Sequence, residues 1–256
     1  MNLSLRQKQI MTGAHDKGQV LVDELVEVFE VTPQTIRRDL NELCEHNLLA
    51  RVHGGAVLAS GVDNVDYEYR QHIASAQKQV VAQLCARQIP DNSSLFINIG
   101  TTTEAVAHAL LDHSNLMVIT NNLNVANILI QKPDFEVIVA GGVLRHADKA
   151  IVGEATVDFV KQFKLDYAVV GTSALDESGS LLDYDYREVR VTQAILENAR
   201  ERFLVTDKSK LERNAPVRVA HVSQLTGLFM DQLDSEELLA ICQQYDVVVH
   251  TVQEGR

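Results

Sequence analysis

The chain of 256 residues carries 23 basic and 35 acidic side chains, which gives a formal net charge of −12. Its length allows one large domain or two smaller ones, and its apolar content is ordinary for a globular protein. No apolar run is long enough to span a membrane, and the segment MNLSLRQKQIM lacks the apolar core of a secretory signal. We therefore expect a cytoplasmic protein with no membrane partner. The acidic balance argues against nucleic acid unless one face carries a local basic site.

The cysteines and histidines show no pattern of a metal or disulfide site. Cys44, Cys85 and Cys242 are far apart and form no CxxC pair, which favours reduced thiols that pack as small apolar side chains. The nine histidines are scattered without ligand spacing. The sequence therefore predicts no metal and no cofactor.

The stretch VTPQTIRRDLNEL predicts a short amphipathic helix. Thr32 is a good N-cap, and Pro33 suits the first helical position. Ile36, Leu40 and Leu43 fall on one face of this helix and form a stripe that would be buried.

The opposite face of this helix carries amide and guanidinium groups, which make paired hydrogen bonds to purine edges in the major groove. An isolated arginine pair is more often a solvated helix face, and only the surrounding elements reverse that preference. The candidate DNA-binding residues on this helix are Gln34, Thr35, Arg37, Arg38 and Asn41.

Two further helices are predicted before this one. The run LVDELVEVFE predicts a helix with Leu25, Val28 and Phe29 facing inward, followed by a tight turn. Together with the amphipathic helix it gives a helix-turn-helix over about residues 20–39. Another helix is predicted over residues 5–15.

A β-hairpin is predicted directly after the recognition helix. In LLARVHGGAVL, two apolar runs flank Gly54 and Gly55, which suit the positive φ of a primed turn. This hairpin forms a wing with Arg51 and His53 as further DNA-binding candidates, although a histidine beside a turn is as often a local hydrogen-bonding group. The sequence thus predicts a winged helix-turn-helix domain over residues 1–57.

The sequence pattern changes after residue 57. Residues 58–73 are polar, have no sustained period and are interpreted as a linker. Over residues 74–256, the strand-like runs SLFINIG, LMVITN, FEVIVAGG, DYAVVG and RFLVTD alternate with helical stretches. That alternation predicts an α/β sensor and oligomerisation domain with a mostly parallel sheet.

Four strand-to-helix junctions in this domain offer groups that bind anions. Helix N-termini present backbone N–H groups, and such loops meet at the carboxyl edge of a parallel sheet, where ligands bind. Each junction alone is a weak signal, but together they favour a site for a small phosphorylated molecule. The candidate effector-binding residues are Gly100, Thr101, Thr102, Thr103, Asn121, Asn122, Gly141, Gly142, Arg145 and Lys210, with Lys208 beside the last.

The sequence resembles DeoR-type bacterial transcription regulators. VTPQTIRRDLNEL followed by RVHGG is similar to their N-terminal signature, and the resemblance continues through IGTTTEAVAHALL, TNNLNVAN, AGGVLR, VGEATVDF and TDKSKLERNA. It implies a repressor that binds double-stranded operator DNA as a homo-oligomer, a dimer or a tetramer. It also implies a sensor domain similar to ribose-5-phosphate isomerase and CoA-transferase folds. The implied effector is glycerol 3-phosphate, with Lys210 as the charge that contacts its phosphate.

The sequence departs from the family pattern at four positions. Glu30 lies in the turn where the family commonly has Gly, and Asn98 stands where an Asp is usual. Thr192 and Gln193 replace a basic pair of close relatives. We expect Glu30 to weaken the turn, and the other departures to alter ligand preference or weaken effector binding.

A sugar-phosphate isomerase-like enzyme with an appended DNA-binding domain is the main alternative. Its chemistry needs a general base, for which Asp183, Asp185 and Glu188 are candidates. Nothing sets them at catalytic spacing, and we interpret them as surface or interface residues. GxSxG, HExxH and P-loop motifs are absent, so we predict no catalytic residue and no enzyme. A ligand-binding or scaffold protein with a vestigial helix-turn-helix is the third possibility.

Overall fold

The computed structural model describes residues 3–17, 19–46, 48–52, 54–58, 67–72, 74–211 and 213–252. The chain divides into two compact units, Met1–Asn64 and Val65–Arg256. The predicted domain boundaries at residues 57 and 73 stay predictions. Among the described residues, no helix is long and apolar enough to cross a membrane.

The N-terminal unit packs three helices against a small antiparallel sheet with strand order β1-β3-β2. Its largest fully buried side chains are Ile10, Ile36, Leu40, Leu43 and Leu49. Its elements in chain order are α1 (Leu5–Lys17), β1 (Gln19–Leu21), α2 (Val22–Phe29), α3 (Pro33–Glu45), β2 (Leu49–Val52) and β3 (Gly55–Leu58). The three predicted helices are thus confirmed, and α3 ends two residues beyond the predicted stretch, which ended at Leu43.

The prediction that Val28 of α2 faces the core is wrong. Val28 is 72% exposed, whereas Val22 and Leu25 are buried and Phe29 packs partly against the core. These three residues follow the spacing of one helix face, at i, i+3 and i+7, and Val28 lies off that stripe.

The wing differs from its prediction at the second glycine. Val52 pairs with Gly55, so Gly55 belongs to strand β3 and the turn comes before it, with Gly54 at a φ of +78°. A Cβ atom on Gly55 would lie 2.0 Å from the carbonyl oxygen of Val20 in β1. Gly55 is therefore needed for close packing of two strands, and only Gly54 supplies positive φ.

The C-terminal unit is built on a seven-stranded parallel sheet with the order β15-β14-β12-β9-β4-β5-β6. Its strands are β4 (Ser94–Ile97), β5 (Met117–Thr120), β6 (Glu136–Val139), β9 (Leu165–Val170), β12 (Ala199–Val205), β14 (Gly227–Phe229) and β15 (Val248–His250). Two small antiparallel sheets contain β7 (Val143–Arg145) with β8 (Ala150–Val152), and β10 (Ala174–Leu175) with β11 (Ser180–Asp183) and β13 (Val217–His221).

Seven α-helices belong to the described part of this unit. They are α4 (Tyr67–His72), α5 (Ser75–Ala86), α6 (Thr101–Ala109), α7 (Leu123–Leu129), α8 (Glu154–Val160), α9 (Tyr186–Glu197) and α10 (Glu236–Gln244). Short 3₁₀ turns cover Leu110–Asp112, Lys208–Lys210 and Val222–Gln224. Because side chains alternate along a strand, Leu95 and Ile97 enter one hydrophobic core and Phe96 enters the other.

The five strand-like runs of the sequence are confirmed as β4, β5, β6, β9 and β12. The short strands β14 and β15 were not predicted. In the predicted linker, Leu58 is the last residue of strand β3, whereas Tyr67–His72 is helix α4 and belongs to the C-terminal unit. Cys85 and Cys242 are buried, Cys44 is half-buried, and none forms a disulfide.

Candidate DNA interface and effector site

Helix α3 is started and oriented as its sequence predicts. The hydroxyl of Thr32 accepts a hydrogen bond from the backbone N–H of Thr35 at 3.3 Å, which caps the first turn. Pro33 occupies the first turn, where its missing N–H costs nothing. The fully buried stripe of Ile36, Leu40 and Leu43 then fixes which face points outward.

The opposite face gathers the predicted DNA-binding residues of this helix. Its members Gln34, Arg37, Arg38 and Asn41 are exposed, and Thr35 is half-buried. Nε of Arg38 donates to Oε1 of Glu42 at 3.0 Å. Of the wing candidates, Arg51 lies in β2 with its side chain undescribed, and His53 lies outside the described residues.

Two acidic side chains of α3, Asp39 and Glu42, have partners within the same unit. Asp39 is buried and forms an ion pair with Arg6. Glu42 accepts hydrogen bonds from Arg38 and from Nε2 of Gln7, and those bonds lower its pKa. The outward face of α3 therefore presents a surface compatible with a polyanion.

At the carboxyl edge of the parallel sheet, the predicted asparagines form a buried network. Nδ2 of Asn122 donates to Oε1 of Glu104 at 3.0 Å, and its Oδ1 caps α7. Oε1 of Glu104 also accepts from Nδ2 of Asn124 at 3.0 Å, and its Oε2 accepts from the hydroxyl of Tyr67 at 2.7 Å. Asn121 donates to the carbonyl of Ile151 at 3.1 Å.

The predicted threonine loop lies next to this network at the start of α6. Thr102 and Thr103 are buried, while Gly100 and Thr101 are half-buried. The hydroxyl of Thr103 donates to the carbonyl of Asn98 at 2.7 Å, so it stabilises the loop itself. Gly100 and Thr101 thus remain the accessible members of this group.

Four cations gather beside this edge. Nζ of Lys78, on α5, donates to the carbonyl of Arg70, and the side chain of Lys78 is almost completely buried. Burial, with the nearby charges of Arg213 and Arg70, lowers its pKa to about 8 despite Asp207. Burial and the same arginines, together with Lys78, also lower the pKa of Lys210 well below its usual value. The cations repel one another, so an anion bound among them would be stabilised.

Sequence reasoning missed three of these cations. Arg70 lies in the segment interpreted as a linker, and Lys78 sits in a helix with no phosphate-binding motif. Arg213 follows the predicted Lys210 by only three residues, which was the one available signal. Their convergence depends on contacts between distant parts of the chain.

Several buried polar atoms at this edge lack a hydrogen-bond partner among the described residues. They are Oδ1 of Asn121 after β5, and Oγ1 of Thr206 and Oδ2 of Asp207 after β12. Buried polar groups normally have partners, so unsatisfied ones indicate a place for a ligand or ordered water.

The guanidinium of Arg145 is hydrogen-bonded to three carboxylates. Its guanidinium donates to Asp148 at 2.8 Å through Nε, to Asp185 at 3.0 Å through Nη1 and to Glu188 at 2.7 Å through Nη2. All three nitrogens therefore have partners, and Arg145 organises a carboxylate cluster that adjoins the cations through Arg70, 3.7 Å from Asp148.

Our interpretation of Asp183 as a surface or interface residue is wrong. Asp183 is buried and accepts hydrogen bonds from Oγ of Ser173 at 2.9 Å and from the backbone of Tyr184. Burial raises its pKa, and burial together with the charge of Asp183 raises the pKa of Glu188 to about 8 although Arg145 opposes that shift. Asp183 and Glu188 flank a segment with two tyrosines, and that sequence gave no signal of this burial.

Of the predicted glycine pair, Gly142 is explained by packing. A Cβ atom there would lie 2.1 Å from the hydroxyl oxygen of Thr156, and its φ is +153°. That hydroxyl donates to the carbonyl of Gly141 at 2.8 Å. The pair fixes the turn after β6 beside the start of α8.

Two of the departures from the family pattern contact each other. Nδ2 of Asn98 donates to the hydroxyl of Thr192 at 2.7 Å, and both side chains are buried. Gln193 instead donates to the carbonyl of Val219 at 3.0 Å. Positions 98 and 192 therefore hold a neutral hydrogen-bonded pair.

Family models match both units. The model of the DeoR-like helix-turn-helix domain matches residues 6–62, and that of the DeoR C terminal sensor domain matches residues 73–232. The chain belongs to the DeoR family. The glycerol-3-phosphate regulon repressor of Escherichia coli is 51% identical over 231 residues, covering 90% of this chain and 92% of that protein. This DeoR-family chain is a DNA-binding transcriptional repressor.

Solved structures are similar at much lower identity. A translation initiation factor eIF-2B from Pyrococcus horikoshii has a TM-score of 0.50 and 13% identity, covering 89% of this chain and 95% of that one. A ribose 5-phosphate isomerase from Methanocaldococcus jannaschii has a TM-score of 0.40 and 14% identity, covering 54% of this chain and 55% of that one.

Proposed function

We propose that glycerol 3-phosphate binds at the carboxyl edge of the parallel sheet and relieves operator binding by this repressor. The observation that carries the proposal is the convergence of Arg70, Lys78, Lys210 and Arg213 beside the predicted anion loops. A phosphate group would remove the mutual repulsion of these cations. The 51% identity to a glycerol-3-phosphate regulon repressor, over 90% of this chain, supports the choice of ligand.

The site has two chemically different ends. We assign the phosphate to the four cations, with the backbone of Gly100 and Thr101 as further donors. The hydroxyl groups of the ligand fit the carboxylate end, because a carboxylate accepts hydrogen bonds from hydroxyls. Arg145 would hold those carboxylates in place and would not contact the phosphate.

The remaining predicted residues keep structural parts in this proposal. Asn122 and Thr103 shape the loops, and Asn121 offers its unsatisfied oxygen to the ligand. Gly141 and Gly142 set the turn that borders the site.

On the DNA side, we assign base recognition to Gln34, Arg38 and Asn41 in the major groove, with Thr35 and Arg37 flanking them. Arg51 and His53 on the wing would contact backbone phosphate. A duplex site with two-fold symmetry requires a homo-oligomer, a dimer or a tetramer, acting in the cytoplasm. The ligand must bind the arrangement that releases DNA more tightly than the arrangement that holds it.

An isomerase-like enzyme remains the second candidate because of the raised pKa values of Asp183 and Glu188. Shifted carboxylates are typical of catalytic acids and bases. We nevertheless assign no catalysis, because Ser173, Tyr184 and Arg145 already occupy these carboxylates with hydrogen bonds. Turnover of phosphorylated sugars by the purified chain would favour the enzyme.

Thermal melting against phosphorylated metabolites of three to six carbons tests the proposal, since a ligand that binds only the folded state raises its melting temperature. Glycerol 3-phosphate should raise it, whereas glycerol should not. Lys210→Ala should abolish the shift. Lys208→Ala, two residues away and paired with Asp234, is the matched control that should keep it. An equal shift in Lys210→Ala would remove that residue from the site.

A further inference from the structure

Helix α4 is held against the sheet edge by a buried hydroxyl. Tyr67 donates to Oε2 of Glu104 at 2.7 Å, and its oxygen accepts from Nδ2 of Asn124 and Nε2 of Gln71, each at 2.7 Å. Burial and Glu104 raise the pKa of Tyr67, so this hydroxyl stays a donor. One oxygen thus joins α4 to both α6 and α7.

Arg70, three residues further along α4, faces the charged groups of the effector site. Its Nη2 lies 3.7 Å from Oδ2 of Asp148, its carbonyl accepts from Lys78, and its guanidinium carbon lies 5.7 Å from the ring centre of Tyr67. The side chain is largely buried. A planar guanidinium placed between amines and carboxylates suits a phosphate ester that is charged at one end only.

A cavity of about 380 Å³ opens where α4 meets α5 and α6, a volume typical of small-ligand sites. Residues of all three helices line it, among them Gln71, Lys78, Thr101 and Glu104. This cavity is therefore lined by Thr101 of the predicted anion-binding loop and by Lys78, one of the four cations. It is also lined by Glu104, which accepts the hydrogen bond from Tyr67.

We propose that α4 is a wall of the effector site and that Arg70 contacts the phosphate, so that the ligand acts directly on the first described helix of the C-terminal unit. Tyr67 is a positioning residue: through Glu104 it ties α4 to the loops that bind the ligand. A phosphate monoester that draws Arg70 toward the amines moves α4, and this movement of α4 is coupled to operator release. The inference rests on the proposed function and names its regulation.

Variants at two residues of the full-length chain separate ligand binding from operator release. Arg70→Gln should raise the Kd for glycerol 3-phosphate at least tenfold, and Arg70→Lys should give a smaller loss because the charge remains. Tyr67→Phe keeps the ring and should leave ligand affinity within threefold of wild type. It should nevertheless reduce the ligand-induced loss of operator affinity at least fivefold. Arg87→Gln, an exposed change on the same unit, is the matched control.

Calorimetry with glycerol 3-phosphate gives the affinities, and fluorescence anisotropy with a selected operator duplex gives the release. Melting without ligand verifies that each variant is folded. If wild type binds glycerol 3-phosphate, but Arg70→Gln binds it with unchanged affinity and Tyr67→Phe releases the operator as wild type does, the role of α4 is contradicted. That result leaves the proposed function standing. A wild-type chain that does not bind glycerol 3-phosphate overturns the proposed function and the inference with it.

Discussion

The two units of this repressor use charge in opposite ways. On α3 the functional charges stand in solvent, where the side chain of Arg38 is 82% exposed above a fully buried apolar stripe. In the C-terminal unit the four clustered cations are half-buried or buried, and Lys78 is only 5% exposed. An exposed guanidinium can bind a polyanion, and salt screens that attraction. Buried cations instead repel one another, and a bound anion offsets this repulsion. The first arrangement suits recognition of DNA, and the second suits a sensor.

The largest effect that separates the two units is expected from Leu40→Ala. Truncating this fully buried residue removes apolar contacts and leaves a cavity, at a cost of about 2–5 kcal/mol. A unit of this size has little stability in reserve, so operator binding in gel-shift assays should be lost. The thermal response of the sensor to glycerol 3-phosphate should persist. Leu239→Ala, at an exposed position of α10, should change neither, and intact operator binding by Leu40→Ala would contradict the account.

The next largest effect concerns the neutral pair in the sensor. Asn98→Asp places a carboxylate beside the hydroxyl of Thr192 in a buried position, which should cost about 3 kcal/mol of unfolding free energy. Adding Thr192→Lys should restore much of that loss by supplying a cation. Urea unfolding of both single variants and the double variant gives the coupling free energy. Simple additivity would show that the two side chains do not act as a pair.

Arg38→Ala should remove sequence preference without unfolding the chain. Loss of a base contact costs about 1–3 kcal/mol of discrimination between the operator and a scrambled duplex. Competition gel shifts measure this difference, with Arg87→Ala as the control. Unchanged discrimination would contradict the orientation of α3.

The buried amines predict a pH dependence in the sensor. Because the pKa of Lys78 is lowered to about 8, the unbound chain loses this proton as the pH rises through that value, and phosphate then has one cation fewer. Affinity for glycerol 3-phosphate should fall by about tenfold for each pH unit above that point. Lys78→Arg, which stays charged, should flatten the profile measured by calorimetry. A flat profile in wild type would place the phosphate elsewhere.

The smallest effect is expected at the turn before α3. Glu30 has a φ of +51°, a left-handed conformation that costs an ordinary residue roughly 1–2 kcal/mol. Glu30→Gly should relieve that strain, offset in part by about 0.4–1 kcal/mol of added freedom in the unfolded chain. Melting should show a small gain confined to the N-terminal unit. Ala74→Gly, at a φ of +50° before α5, should act only on the sensor. A loss of stability in Glu30→Gly would contradict the strain.

The outward face of α3 was predictable because its signals are local. A cap, a first-turn proline and a periodic apolar stripe lie within one short stretch, and they fix both the helix and its outward face. Val28 was misplaced because two neighbouring apolar residues compete for one helix face. Gly55 was misread because its strand packs against β1, a contact with a distant segment.

The effector site was predictable only in part, for the opposite reason. Parallel strands bring their carboxyl ends to one edge, so the loops after β4 and β5 were found from the order of elements. Which side chains carry the charge depends on packing between distant segments. Arg70 and Lys210 are 140 positions apart in the sequence, and no local pattern links them. The pairing of Arg145 with three carboxylates was hidden for the same reason.

The most direct test of the central claim is operator release measured on the full-length chain. An operator duplex selected by the wild-type chain is followed by fluorescence anisotropy while glycerol 3-phosphate is added. We predict that wild type and Lys208→Ala release the duplex, whereas Lys210→Ala binds it with the same affinity and keeps it at every ligand concentration. Equal release by all three proteins, or none by wild type, would contradict control of α3 by a phosphate bound among the buried cations.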